Sequence, residues 1–353
     1  MSKTTDCNFP HIQYELNKSP VIWGKAHGEE FRQEIKELSQ IRRDLMIQKN
    51  PALKSHLDEL AQLQAQHTQV NYPELYKELE GIIKGSDSSL TDIIILNNYT
   101  DFRDINLTDQ GCTSVGLKKE ENISGQTWDM HSSAKNYVCT IELPGQWIVY
   151  SLVGCLGMMG ANKHSLFIGV NNINTQKAKA GVIWPAMVRK ILQAGQIHEA
   201  KDSLLNASPT SGHNYILSNG KTWENWEISP QFQQRSHKID EEEENKAIFH
   251  TNHCLNEEAK KQEEAISRNS TSFDRYKVME EKIDSLVNGQ NLIDALQSHD
   301  NYPKSLCGHY QSGAQDPSIT CGGGVFNHQT KEFFVWRGCK LEDSNYCERT
   351  HKL

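Results

Sequence analysis

The chain has 353 residues, 37% hydrophobic and 23% charged, enough for one large or two medium domains with a substantial core and too apolar for wholesale disorder. Its net charge of −8 comes from dispersed carboxylates and the acidic run 241–244; no lysine–arginine cluster could follow a phosphate backbone, so a nucleic-acid partner is not expected. The first 20 residues lack the apolar stretch of a secretory signal, and nowhere does an apolar run approach the roughly 20 residues of a membrane helix, so a cytoplasmic protein with no membrane partner is expected.

In chain order, 29–66 is rich in helix formers, with apolar residues at helical intervals (Ile35, Leu38, Ile41, Leu45), and predicts helix interrupted near Pro51. Tyr72-Pro73-Glu74 opens a second helical run, PELYKELEGIIKGS, with proline at its start and Gly85 near its stop. A third, TDIIILNNYTDF, takes Thr91 as its N-cap. The first 100 residues therefore read as mostly helical.

After Cys112 the character changes. Stretches 112–117, 124–129, 137–143 and 147–153 are short, β-branched or aromatic, and separated by turn residues, Leu143-Pro144-Gly145-Gln146 being the clearest hairpin turn. Strand 166–170 and helix 184–194 follow, then a hairpin of 215–217 and 223–228 around Asn219-Gly220-Lys221. The acidic stretch 240–246 reads as a solvated loop before strand 248–250, 272–287 and 290–298 as helices, and 318–326 and 332–337 as closing strands. Helices, strands, helices and strands in blocks, with no internal repeat, predict an α+β fold.

Nine cysteines, odd in number and irregularly spaced, do not make a disulfide framework; most fit as small apolar residues in a reducing compartment. Cys112 stands out because Gly111 precedes it. An internal cysteine can attack the preceding carbonyl where the backbone bends, and glycine lowers the steric cost of that bend. The result is an N-to-S acyl shift and, after hydrolysis, an N-terminal cysteine whose α-amine, with a reference pKa of about 7.7 to 8.0, can serve as base for its own thiol. A Gly-Cys dipeptide alone is equally compatible with simple packing.

The neighbours weigh on that choice. In order, the chain carries Tyr72-Pro73, Glu80-Gly81-Ile82-Ile83-Lys84-Gly85, Gly111-Cys112-Thr113-Ser114, Gly125-Gln126-Thr127-Trp128-Asp129, Gly157-Met158-Met159-Gly160-Ala161-Asn162, His250-Thr251-Asn252-His253-Cys254-Leu255 and Asp300-Asn301-Tyr302-Pro303. This ordered series, from about residue 20 to 337, resembles the acyl-coenzyme A:6-aminopenicillanic acid acyltransferase family, the self-cleaving cysteine group of the N-terminal nucleophile hydrolases.

The resemblance implies a four-layer αββα sandwich and a precursor cut between Gly111 and Cys112. A largely helical α chain, 1–111, and a β chain, 112–353, would stay associated as one globular unit. It implies Cys112 as the nucleophile carrying an acyl thioester, Asp129 orienting its amine, Asn252 as a side-chain donor to the oxyanion, and Ser114 as a hydroxyl near substrate or nucleophile. The implied partner is a small N-acyl or β-alanyl amide, with no cofactor and with acyl-coenzyme A as a substrate in the transferase alternative. A third alternative is an uncleaved binding protein of the same fold.

His250-Thr251-Asn252-His253-Cys254 could offer zinc ligands, but no second paired group supports it, and no metal is expected. Trp23-Gly24-Lys25-Ala26-His27-Gly28 is similar to the family's Gly-X-X-X-Gly opening, whose role is packing. Penicillin-forming members carry arginines where this chain reads Cys307-Gly308-His309 and Gln315-Asp316-Pro317-Ser318. Their absence weakens the case for a penicillin substrate and leaves the nucleophile untouched.

Overall fold

The computed structural model describes residues 9–104, 111–264, 270–309 and 318–353. Five helices come first: α1 Pro20–Glu30, α2 Arg32–Lys49, α3 Leu57–Asn71, α4 Pro73–Ser86 and α5 Leu90–Asp104, with a 3-10 turn at Pro51–Ser55 where the break was expected. α4 is the expected run, ending at Ser86 one residue after Gly85, with Asp87 beyond it in the left-handed conformation (φ 55°). The start of α5 differs from expectation. Thr91 does not cap α5. Ser89 does, its Oγ accepting the Asp92 N–H at 3.1 Å while its own hydroxyl and N–H donate to the Asp92 carboxylate, a reciprocal pair that Thr91 cannot make. Thr91 donates instead to Asp58 at 2.6 Å.

Gly85 is needed for another reason. Gly24 and Gly28 on α1 face Gly81 and Gly85 on α4, and the two backbones touch: a Cβ on Gly24 would lie 2.0 Å from the Glu78 carbonyl oxygen, and one on Gly81 would lie 2.3 Å from that of Val21. Gly81→Ala should therefore lower stability by about 1–3 kcal/mol, measured by denaturant midpoint, because overpacking against backbone outweighs alanine's better helix propensity of about 1 kcal/mol.

The strands are β1 His11–Gln13, β2 Ser114–Lys118, β3 Asn122–His131, β4 Val138–Leu143, β5 Trp147–Leu152, β6 Met159–Asn162, β7 Phe167–Ile173, β8 Gly212–Ser218, β9 Trp223–Ile228, β10 Gln233–Ile239, β11 Lys246–His250, β12 Ser318–Asn327, β13 Glu332–Arg337 and β14 Cys347–Lys352. They form an eight-stranded sheet, β1-β4-β5-β6-β7-β8-β9-β10, and a six-stranded sheet, β11-β2-β3-β12-β13-β14. Of the four strands not anticipated, β1, β10 and β14 are sheet edges. Edge strands pack on one side only, so they carry polar sequences such as QQRSHKI and CERTHK, without the apolar alternation of a central strand.

The two sheets stack face to face. Phe167 of β7 meets Phe326 of β12 and Phe333 of β13, and the Trp223 indole of β9 donates to Ser124 Oγ of β3 at 2.9 Å. Two of the remaining helices, α6 Trp184–Ile191 and α7 Ile197–Leu205, join α1–α5 on the eight-stranded sheet, while α8 is the short turn Glu257–Lys260. α9 Ser272–Lys282 and α10 Gly289–Leu296 cover the outer face of the six-stranded sheet, with Val278, Met279, Leu292 and Leu296 packed on Val115, Leu117, Ile123 and Val325. This is the four-layer αββα arrangement. Among the described residues no helix is long and apolar enough to cross a membrane. Seven described cysteines are free thiols, and Cys347 is held in a disulfide.

Residues before Gly111 are built into the same core as those after it. β1 pairs in parallel with β4, and the Glu78 carboxylate of α4 receives both guanidinium nitrogens of Arg189 of α6 at 3.0 Å, fully buried, with the Tyr14 hydroxyl donating to it at 2.9 Å. A bidentate buried pair of this kind fixes geometry as well as charge.

Two core histidines are held in buried hydrogen bonds. His27 Nε2 accepts the Gly154 N–H at 2.8 Å, and His328 uses Nδ1 on the Ser165 carbonyl and Nε2 on Ser124 Oγ. Burial pushes both down to about 3. The unfolded chain thus takes up their protons first, so stability should fall as pH drops from about 6.5 toward about 3. The slope is up to about 1.4 kcal/mol per pH unit for each histidine, measurable as the pH dependence of Tm.

Candidate active site

Cys112 lies just before β2, 7% exposed, at one end of the cleft between the sheets. The peptide joining it to Gly111 is held at both polar ends. The Gly111 carbonyl accepts the Asp129 backbone N–H at 2.9 Å, and the Cys112 N–H donates to Asn252 Oδ1 at 2.6 Å. Among the described residues with positive φ, Gly111 does not appear, so a left-handed bend is not why glycine stands there. A Cβ at 111 would sit 2.6 Å from Asp129 Oδ2 and 2.8 Å from Arg275 Nη2. The side-chain hydrogen of glycine leaves room for that charged pair against the Gly111–Cys112 bond.

Asp129, in β3, projects toward the helices of the outer layer. Its Oδ1 accepts from Thr320 Oγ1 at 2.7 Å, and Oδ2 lies 3.7 Å from Arg275 Nε. Burial raises its pKa, against the opposing pull of the Arg275 guanidinium and the Thr320 and Thr127 hydroxyls. The Cys112 thiol is pushed up to about 12, first by burial and then by the Asp129 charge, with the Asp129 N–H, Arg275 and the Gln126 side chain acting the other way.

Asn252 is placed by its surroundings. Glu227 of β9 receives His250 Nε2, Leu255 N and Asn256 N, pinning the 250–256 segment, while Ser272 Oγ at the start of α9 accepts the Asn252 N–H at 2.7 Å. The amide orientation follows from its partners: Oδ1 takes the Cys112 N–H and Arg275 Nη2, and Nδ2 donates to the Asn172 carbonyl at 2.8 Å. One Nδ2 proton remains to be offered. His250 and His253 are engaged by Glu227 and Ser272 and belong to no metal-type cluster among the described residues.

Ser114 is not drawn to the sulfur. It sits one pleat into β2, with its Oγ donating to Asn171 of β7 at 2.6 Å between the sheets, and it does not line the cavity at Cys112. Gln126 bridges the same gap, pairing both ends of its amide with the Val170 backbone at 2.6 Å as though it were a strand.

Arg275 is the residue that the sequence reading missed. It is 1% exposed and gives Nη1 to the Cys112 carbonyl at 2.6 Å and to Thr113 Oγ1 at 2.9 Å, and Nη2 to Asn252 Oδ1 at 2.7 Å. One guanidinium thus touches the Cys112 backbone, Asn252 and Asp129. In TSFDRYKVMEEK it reads as one surface charge among many, and helix periodicity places it near the start of a helix without saying that it points inward.

The cavity beside Cys112 is about 20 Å³, room for about one water molecule. Trp128, Met158, Val170, Trp184 and His213 help to line it. Burial drives His213 down to about 3, although its Nε2 lies 3.3 Å from Asp101 Oδ1. Both Trp184 and Asn172 line this space, and Trp184 Nε1, a donor, and Asn172 Oδ1, an acceptor, have no hydrogen-bond partner among the described residues.

Residues 117–333, more than half of the chain, match the family model described as acyl-coenzyme A:6-aminopenicillanic acid acyl-transferase. The chain is 25% identical over 329 residues to the 40 kDa form of acyl-coenzyme A:6-aminopenicillanic-acid-acyltransferase from Emericella nidulans, a similarity that spans 91% of this chain and 90% of that protein. Among solved structures it is similar to a mutant of conjugated bile acid hydrolase from Clostridium perfringens (10% identity, TM-score 0.40, 69% of this chain and 97% of that one). It is also similar to penicillin V acylase from Agrobacterium tumefaciens (12% identity, TM-score 0.36, 64% and 83%).

Proposed function

The chain belongs to the acyl-coenzyme A:6-aminopenicillanic acid acyl-transferase family, and from that premise we propose that it is a cysteine acyl-transfer enzyme that cuts itself between Gly111 and Cys112 and then acts on a small N-acyl amide. The observation that carries the reading is the clamp on that one peptide bond, with Asp129 N–H on the carbonyl and Asn252 Oδ1 on the N–H.

In the first reaction the Cys112 sulfur bonds to the Gly111 carbonyl carbon, the C–N bond breaks, and the thiol proton ends on the Cys112 nitrogen. Asp129, its pKa raised by burial, can relay that proton, while its backbone N–H supports the developing oxyanion. Water then hydrolyses the thioester, leaving residues 1–111 and 112–353 joined by the shared sheet and the Glu78–Arg189 pair. A substrate larger than water needs the space at Cys112 to open, which separating residue 111 from 112 allows.

In the second reaction the free Cys112 α-amine takes the thiol proton, and the sulfur attacks the substrate carbonyl. The remaining Asn252 Nδ2 proton supports the oxyanion, and the departing amine takes a proton from the Cys112 ammonium. Trp184 Nε1 and Asn172 Oδ1 offer the donor and acceptor that a substrate amide needs. Water or an acceptor amine then receives the acyl group.

Intact-mass analysis tests this directly. Incubation with small N-acyl and β-alanyl amides, and with acyl-coenzyme A with and without an amine, should place a hydroxylamine-labile acyl group on the fragment that begins at Cys112. Consumption of acyl-coenzyme A only when an amine is present identifies a transferase; release of free acid from an amide identifies a hydrolase. No adduct from any donor, with the chain uncut, would leave a binding protein.

A further inference from the structure

Outside the cleft, four side chains from the 299–309 loop and the segment after β13 converge: His299, Cys307, His309 and Cys339, whose donor atoms all lie within 4.8 Å of one another. His299 Nε2 is 3.2 Å from Cys339 Sγ, and His309 Nε2 is 3.6 Å from Cys307 Sγ. A zinc ion with bonds of about 2.3 Å to sulfur and about 2.0–2.1 Å to nitrogen defines a tetrahedron with edges of roughly 3.3–3.8 Å, the scale of the two nitrogen–sulfur separations, and the remaining pairs, within 4.8 Å, would need to draw in by at most about 1.5 Å. Both sulfurs are buried, at 1% and 5% exposure.

The outer nitrogens are equally arranged. His299 Nδ1 lies 3.7 Å from Glu342 Oε1, and His309 Nδ1 lies 3.4 Å from Glu342 Oε2, so one carboxylate faces both rings from behind. A carboxylate receiving the far N–H of a ligating histidine turns the other nitrogen toward the metal and raises its basicity. Two histidines pointing Nε2 inward and Nδ1 at one shared carboxylate is more than a chance cluster requires.

We propose that His299, Cys307, His309 and Cys339 bind a structural zinc ion. A donor set of two sulfurs and two imidazoles suits zinc over the oxygen-seeking or square-planar metals, and four protein ligands leave no position for a substrate. The site ties the 299–309 loop to the strand that ends at Arg337. Within that loop the Gly308 N–H donates to Thr320 Oγ1 at 2.8 Å, and the same hydroxyl donates to Asp129 Oδ1 at 2.7 Å. Zinc therefore braces, through Gly308 and Thr320, the carboxylate beside the Gly111–Cys112 bond. The zinc proposal does not depend on the proposed reaction.

The test is metal analysis of the untagged full chain, prepared under reducing conditions with zinc supplied and then dialysed. About one zinc per chain is expected, unchanged in Cys112→Ala and reduced at least about tenfold in Cys307→Ser/Cys339→Ser. Should the double variant fail to fold, cobalt substitution of the unaltered chain decides: tetrahedral d–d bands with a thiolate-to-cobalt charge-transfer band are expected. Substoichiometric zinc in the unaltered chain, cobalt without thiolate ligation, zinc that survives loss of both cysteines, or a Cys307–Cys339 disulfide in the reduced preparation would each overturn the proposal.

Discussion

Cys112→Ala is expected to migrate as one full-length band on a denaturing gel, whereas the unaltered chain resolves into two fragments, the larger beginning at Cys112. The substitution removes the proposed attacking atom and keeps the clamp, since the hydrogen bonds to Gly111 O, Cys112 N and Cys112 O involve backbone atoms of residues 111 and 112. Cleavage should fall by at least about 10³-fold, the scale seen when a nucleophile is removed. Cys254→Ala should still cleave: that side chain packs with Ile173 and Ala259 and does not line the cavity at Cys112.

The unaltered chain adds a pH signature. With the Cys112 thiol pushed up to about 12, the thiolate fraction grows about tenfold per pH unit below that value. If thiolate is the attacking species, the rate of fragment formation rises with pH across 7 to 9. A rate independent of pH over that range would point to proton removal within the transition state instead.

Arg275→Met is the second large effect. Removing the guanidinium leaves the Asp129 carboxylate buried without its cation and deprives the Cys112 carbonyl and Asn252 Oδ1 of a donor. Breaking a buried pair on one side costs about 3–5 kcal/mol, and losing a preorganised donor at the reacting groups should lower turnover by about 10²–10³-fold. Stability and chemistry can be separated. Asp129→Asn/Arg275→Met removes both charges and should regain much of the lost denaturation midpoint while turnover stays low. If Arg275→Met melts like the unaltered chain, the guanidinium is not compensating Asp129; if the double variant regains turnover, neither group has the role proposed.

The helices of the first hundred residues were legible because apolar spacing and the Pro51 and Pro73 signals are local. So were the central strands rich in β-branched and aromatic residues, whereas the central β6, MGAN, was not anticipated because four residues with a glycine carry no strand pattern. Helix ends were legible only in part, because caps depend on reciprocal contacts, as Ser89 and Asp92 make. Edge strands β10 and β14 escaped because a strand packed on one side keeps a polar sequence.

The order of Gly111-Cys112, Asp129 and Asn252 was written in the sequence, and the structure brings Asp129 and Asn252 onto the Gly111–Cys112 peptide bond. Only the tertiary structure decided that Arg275, 163 positions beyond Cys112, is the cation at that bond, and that Gly111 is glycine to admit the Asp129–Arg275 pair. It alone decided that Ser114 faces Asn171 between the sheets, and that His299, Cys307, His309 and Cys339 meet. The reason is the range of the forces involved. Periodicity, turn chemistry and motif order are written between near neighbours, whereas a buried charge or a ligand cluster is assembled by packing residues distant in the chain, and an arginine or histidine reads the same whether it faces water or the core.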